Sequence, residues 1–156
     1  MALRSLQPGE RAPDLELLDS QGKPVQLSKL WKASTLVLYF YPKDETPGCT
    51  AEACAFRDQY QLFQEAGAEV VGISSDPPES HRKFATHRGL PFILLSDPEN
   101  KARQSFGVNT TLGLLPGRVT FVIDNSGTIR YRFSSQLRTS VHVNKALEVV
   151  RTLTVP

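Results

Sequence analysis

The run Thr35-Leu-Val-Leu-Tyr-Phe-Tyr41 restricts the possible folds more than any other stretch of this chain. It is almost continuously apolar and β-prone, which predicts a strand covered on both faces, not one with a wet side. Such a strand needs a layer above and a layer below it, and the flanking sequence supplies helices for both. Phe56, Tyr60 and Phe63 fall at spacings of four and three, so a helix is predicted from about Cys49 to Ala66, with Gly67 as its stop. Ala68 to Ser74 reads as a second buried strand, broken by Asp76-Pro77-Pro78. Glu79 to Arg88 reads as a second helix stopped by Gly89, and Phe92 to Leu95 as a short strand. Asp97-Pro98-Glu99 looks like a helix start, with Asp as N-cap and Pro in the first helical position.

The two ends of the chain add antiparallel elements. Asp14 to Leu18 and Val25 to Leu27 flank the polar turn Asp19-Ser-Gln-Gly22 and predict an N-terminal hairpin, after which Ser28 caps a short turn reaching Trp31. Arg118 to Ile123 and Thr128 to Phe133 flank Asp124-Asn-Ser-Gly127 and predict another hairpin, followed by an amphipathic helix from about Ser140 to Leu153. Helical crossovers imply parallel strands and hairpins imply antiparallel ones. The expected fold is therefore α/β, a three-layer sandwich with a mixed central sheet. No repeat or linker divides residues 1–156, so a single domain is expected.

Composition excludes several function classes. With 40% hydrophobic and 22% charged residues and a net charge of +2, the chain has neither a basic face nor a charge block suited to nucleic acid. No apolar run approaches the roughly 20 residues of a membrane span. The first eight residues, Met-Ala-Leu-Arg-Ser-Leu-Gln-Pro, lack the apolar core of a secretory signal, so a cytoplasmic location is expected. Separately, the chain is expected to act as a monomer.

The only cysteines are Cys49 and Cys54. A disulfide-stapled secreted scaffold would spread more of them along the chain. Zinc would need four protein ligands, and His81, His87 and His142 lie far away without ligand spacing, so no metal is expected. Redox chemistry and plain burial remain. In Tyr41-Pro-Lys-Asp-Glu-Thr-Pro-Gly-Cys49 a buried strand ends at Pro42, a polar loop follows, and Cys49 opens a helix. Sites in α/β sheets form beyond the C-terminal ends of such strands. Unpaired N–H groups and the positive end of the helix dipole favour a thiolate there. Full ionisation enlarges the reactive pool only about 30-fold over an ordinary thiol at pH 7. Fast thiolate chemistry therefore needs further donors to hold the substrate and the leaving group: the Thr46 hydroxyl, the backbone around Gly48, and a cation.

Cys54 follows five residues later. On a regular helix that spacing separates the Cα atoms by about 8.7 Å, whereas a disulfide needs about 4.4–6.8 Å. Either the helix unwinds when the thiols join, or they never join. Spacing alone leaves open a third reading, two buried cysteines acting as small hydrophobes.

Pro42-x-x-x-Thr46-x-x-Cys49 resembles the peroxiredoxin active-site signature. The longer run Tyr41 to Asp58 is similar to the bacterioferritin comigratory protein, or peroxiredoxin Q, subfamily. The likeness returns at Leu90 to Asp97, Phe106-Gly-Val108, Gly117 to Asp124 and Ser134-Ser-Gln-Leu137. The resemblance implies a thioredoxin-like fold with the N-terminal hairpin as an extension, and an enzyme that reduces hydrogen peroxide and organic hydroperoxides. By position it implies Cys49 as the peroxidatic cysteine, Thr46 as hydrogen-bond partner of sulfur and peroxide, Pro42 as a shield and Arg118 as the active-site cation. It further implies Cys54 as the resolving thiol, thioredoxin or a similar dithiol as reductant, and no cofactor.

For the remaining candidates a bland reading stands beside the functional one. Glu52 either holds Arg118 or caps the helix. Arg57 is read as a surface or core-edge residue against a role supporting the site by its charge, the histidines as structural against a role as bases, and Trp31 with the Phe56/Tyr60/Phe63 stripe as core against a ligand platform. The apolar residues of Asn109 to Gly117 line either the peroxide entrance or a partner contact. Two rival functions share the fold: a thiol–disulfide exchange module, disfavoured because the loop has no Cys-x-x-Cys pair, and a redox sensor using the same switch.

Overall fold

The computed structural model describes residues 5–108, 110–111, 115–135 and 138–154. The strands are β1 (Glu16–Asp19), β2 (Pro24–Gln26), β3 (Thr35–Phe40), β4 (Ala68–Ser74), β5 (Ile93–Ser96), β6 (Thr110–Thr111), β7 (Leu115–Pro116), β8 (Val119–Ile123) and β9 (Ile129–Ser134). The helices are α1 (Leu27–Ala33), α2 (Pro47–Glu65), α3 (Pro78–Arg88), α4 (Lys101–Phe106) and α5 (Thr139–Thr154).

Seven strands form one mixed sheet in the order β2-β1-β5-β4-β3-β8-β9. The apolar run of β3 lies inside it, parallel to β4 on one side and antiparallel to β8 on the other. All six β3 residues are buried, as a strand covered on both faces requires. Its alternating side chains feed two cores. Val37, Tyr39 and Tyr41 join the cluster that contains Phe56 and Phe63 of α2, Phe84 of α3 and Val143, Ala146 and Val150 of α5. Leu36, Leu38 and Phe40 face the cluster of Leu27 and Trp31 of α1, Phe106 of α4 and Phe121 and Ile123 of β8. The three layers expected from the sequence are present, with Trp31, Phe56 and Phe63 in the core.

Both hairpins form, and β1 also pairs antiparallel with β5, which ties the N-terminal hairpin into the sheet. Three local expectations need correction. Ser28 lies within α1, and the carboxylate of Asp14 accepts its backbone N–H at 3.0 Å, so the cap comes from fourteen residues upstream. Helix α4 starts at Lys101 behind a left-handed Asn100, three residues later than Asp97-Pro98-Glu99 suggests. Asp97 still serves its start from a distance, because its two oxygens accept the N–H groups of Ala102 and Arg103 at 3.0 Å each. Helix α2 begins two residues earlier than expected, at Pro47, which places Cys49 in its first turn with Thr46 as N-cap. The β6/β7 ribbon occupies part of the unfamiliar stretch 109–117, whose apolar side chains lie outside the described ones, as do Gln136 and Leu137.

Candidate active site

Three chain segments converge on Cys49. The first is the loop that leaves β3 at Tyr41 and becomes α2. The second is the entry to β8, where Arg118 precedes Val119. The third is the N-terminal part of α5. Since β3 and β8 are neighbours in the sheet, the end of one strand meets the start of the other, and residues 69 positions apart come together.

Cys49 is 1% exposed, and its sulfur accepts a hydrogen bond from Arg118 Nη2 at 3.4 Å. Arg118 Nη1 donates to Glu52 Oε1 at 2.7 Å, with the two side chains 4% and 0% exposed. Glu52 therefore holds the cation; it does not cap the helix. Burial alone opposes the Arg118 charge, but Glu52 and the Cys49 sulfur outweigh it and hold the guanidinium above its ordinary pKa. Gly48 allows the approach: a Cβ there would stand 3.0 Å from Arg118 Nη2.

Behind Glu52 lies His142, for which the sequence favours a structural place over a role as a base. Its Nε2 donates to the Ser135 carbonyl at 2.8 Å, so its Nδ1 is an acceptor, and the Thr120 hydroxyl donates to it at 2.7 Å. The same Nδ1 faces Glu52 Oε2 at 3.6 Å, and that oxygen has no hydrogen-bond partner among the described residues. Burial pushes the Glu52 carboxyl up to about 7, with Arg118 pulling the other way. Burial likewise pushes the His142 imidazole down to about 4, aided by the Arg118 charge and opposed by the Ser135 carbonyl. The imidazole is thus neutral beside a carboxyl that titrates near neutrality. One sequence signal would have exposed it: His142 shares the inward face of α5 with Val143, Ala146 and Val150, an odd place for an idle polar ring.

The other expected residues are placed as follows. Pro42 is half-buried at the loop start. The Thr46 hydroxyl donates to the Lys43 carbonyl at 2.8 Å instead of to the sulfur, and it does not cap α2. Pro47 has no N–H, which leaves the N–H groups of Gly48 and Cys49 at the helix mouth, while that of Thr50 is bonded to the Thr46 carbonyl at 2.8 Å. Cys54 is half-buried on α2, and both thiols are free. Arg57 bonds Asp58 and the Arg88 carbonyl, away from the sulfur.

A second buried network anchors the loop. Asp44 Oδ1 accepts from the Tyr41 hydroxyl, and its Oδ2 meets His81 Nδ1 at 2.7 Å and the Ser80 hydroxyl at 2.8 Å. Asp76 accepts the Asp44 N–H and the Ser74 hydroxyl. Asp44, Asp76 and His81 thus cluster as metal ligands do, but these bonds account for the cluster without an ion. Sequence spacing concealed this group because it joins residues more than 30 positions apart.

The AhpC/TSA family model matches residues 8–132. The chain is 49% identical over 146 residues to the chloroplastic peroxiredoxin Q of Sedum lineare, covering 93% of this chain and 78% of that one. It superposes on the crystal structure of peroxidoxin BcpB from Mycobacterium tuberculosis with a TM-score of 0.88 at 41% identity, over 95% of this chain and 98% of that one. It also superposes on the bacterioferritin comigratory protein of Xanthomonas campestris, a structure described for its alkyl peroxide reduction activity. There the TM-score is 0.81 at 29% identity, over 90% and 92% of the two chains. The shared architecture is the thioredoxin-like sandwich expected from the sequence. The chain belongs to the AhpC/TSA family and, within it, to the peroxiredoxin Q or bacterioferritin comigratory protein peroxiredoxins.

Proposed function

We propose that this peroxiredoxin reduces hydroperoxides with Cys49 as nucleophile and Cys54 as resolving thiol. The contact of the Cys49 sulfur with Arg118, whose position Glu52 fixes, carries the reading. The Cys49 thiolate attacks the terminal oxygen of ROOH. The O–O bond breaks, sulfur becomes a sulfenic acid, and the alkoxide leaves as ROH after taking a proton. Arg118 and the N–H groups of Gly48 and Cys49 hold the peroxide and the charge developing on the leaving oxygen. The Thr46 hydroxyl, whose own proton is donated to the Lys43 carbonyl, accepts a hydrogen bond from the peroxide O–H, which keeps its proton as it becomes the sulfenic acid, and Pro42 keeps water from the sulfur. Cys54 then attacks the sulfenic acid, releasing water and forming the disulfide, which thioredoxin or a similar dithiol reduces.

A sulfur as buried as Cys49 is shielded from a bulky protein reductant. Half-buried Cys54, once bridged to it, offers that reductant an accessible disulfide. In this reading the chain acts as one domain and as a monomer, tested by gel filtration. No helix among the described residues is long and apolar enough to cross a membrane. A cytoplasmic location is part of the proposal and is tested by cell fractionation.

Peroxide consumption coupled to a thioredoxin system is the decisive assay. Cys49→Ser is expected to abolish it. Cys54→Ser should consume one equivalent of peroxide and then stall. Full turnover by Cys49→Ser would refute the assignment, and a single oxidation without recycling by the unaltered protein would favour the sensor reading.

A further inference from the structure

Arg103 is 7% exposed, yet no carboxylate lies within 4 Å of its guanidinium among the described residues, unlike Arg118, which is as buried and is paired with Glu52. Its direct partners are neutral. Nη1 donates to the Gly117 carbonyl at 2.8 Å and Nη2 to the Tyr41 carbonyl at 3.2 Å, while its carbon stands 5.7 Å from the Phe40 ring centre. Those two carbonyls are informative. Tyr41 immediately precedes Pro42 and the Cys49 loop, and Gly117 immediately precedes Arg118. One side chain from α4 therefore joins the two segments that deliver the sulfur and its cation.

A buried cation bonded only to carbonyls is costly unless an anion compensates it. Asp97 supplies the larger share of that compensation, although both its oxygens accept backbone N–H groups and neither bonds the guanidinium. The other anion whose field reaches Arg103 is the Cys49 sulfur. We propose that Arg103 is a positioning residue of the peroxidatic site: it clamps the Tyr41 and Gly117 carbonyls and supplies a second fixed positive charge that favours the Cys49 thiolate. This rests on the assignment of Cys49 as nucleophile. The groups facing the sulfur are then Arg118 at the entry to β8, Glu52 on α2 with His142 of α5 behind it, Tyr39 on β3, and Arg103 on α4 with Asp97 behind it. Two cations thus stand against two carboxyls, Asp97 and a Glu52 that titrates near neutrality.

The test is the pH dependence of iodoacetamide alkylation at Cys49, in a Cys54→Ser background so that one thiol reacts. Arg103→Gln is expected to move the curve to higher pH, cutting the rate near pH 6 by about tenfold, which corresponds to one unit, while the limiting rate at high pH stays unchanged. Arg103→Lys keeps the charge and should hold the curve near its original position even if its thermal midpoint falls. Superimposable curves for all three proteins would overturn the inference and reduce Arg103 to packing. If Arg103→Gln folds too weakly for kinetics, urea titration in the cold replaces it. Its destabilisation should then be larger with Cys49 than with Cys49→Ser at pH 9, and equal losses in both would also overturn the inference. Mass spectrometry after one equivalent of peroxide separates the two claims. Oxidation at Cys49 with an unmoved Arg103→Gln curve sinks only the role of Arg103, whereas no oxidation at Cys49 sinks the peroxidase reading itself.

Discussion

At the scale of single residues, the site depends on contacts with little slack. Gly48→Ala adds a methyl group that pushes on Arg118 Nη2. Alanine is the better helix former by up to about 1 kcal/mol, so stability should hold or rise while kcat/KM falls roughly tenfold or more as the guanidinium leaves its place. Unchanged kcat/KM would show that the Arg118–Cys49 distance is not critical. Glu52 and His142 make an opposed pair. The carboxyl, at about 7 when folded against an ordinary 4.5, contributes stability that is full below pH 4.5 and lost as pH rises through 7. The imidazole, at about 4 against 6.5, contributes stability that is full above pH 6.5 and lost as pH falls through 4. Between pH 4.5 and 6.5 the two slopes cancel. Urea midpoints across that window should fall with rising pH in His142→Asn and climb with rising pH in Glu52→Gln; parallel profiles in both variants would contradict the pairing. Thr120, Arg118 and the Cys49 sulfur remain around the pair in either variant. Of these residues, Cys49 and Arg118 were legible in the sequence through the resemblance of long ordered segments, whereas the sequence leaves Glu52 between holding Arg118 and capping the helix. His142, Thr120 and Arg103 were not legible, since each matters only through partners remote in the chain.

At the scale of elements, α2 holds both reactive thiols and cannot hold them bonded. Five residues along an intact helix leave the Cα atoms too far apart for a disulfide. One equivalent of peroxide should therefore lower the far-UV helical signal by the equivalent of about one to two turns, and dithiothreitol should restore it. Cys54→Ser should keep its helix on oxidation. A bridged protein with unchanged helical signal would mean that the chain reaches the bond by another movement. The extent of α2 was readable from its apolar stripe and from Gly67, whose positive φ of 83° ends it. Its true start was displaced by two residues because Pro47 and Thr46, not the cysteine, set the N-terminus. Helix α4 shows the opposite case: a Pro-bearing start signal was overridden when Asp97 turned its carboxylate to later N–H groups.

At the scale of the whole molecule, the sheet divides two cores that share β3. Phe56 packs on one face and Phe106 on the other. Truncating either to alanine should cost about 3–5 kcal/mol. Unfolding should remain one transition, with the fluorescence of Trp31, the only tryptophan, following the far-UV signal. Separate midpoints would mean that the faces unfold independently. The sequence by itself determined the layers, the buried strand, the two hairpins and the cysteine at a helix mouth, because periodicity, turn residues and a motif are local properties of the chain. Tertiary structure alone decided which charges surround that cysteine. Arg118 reaches its sulfur, Arg103 the backbone on either side of the site and the neutral His142 the far oxygen of Glu52, only because β8 lies against β3, α4 packs beneath the sheet and α5 covers α2, and no spacing along the chain records those neighbours.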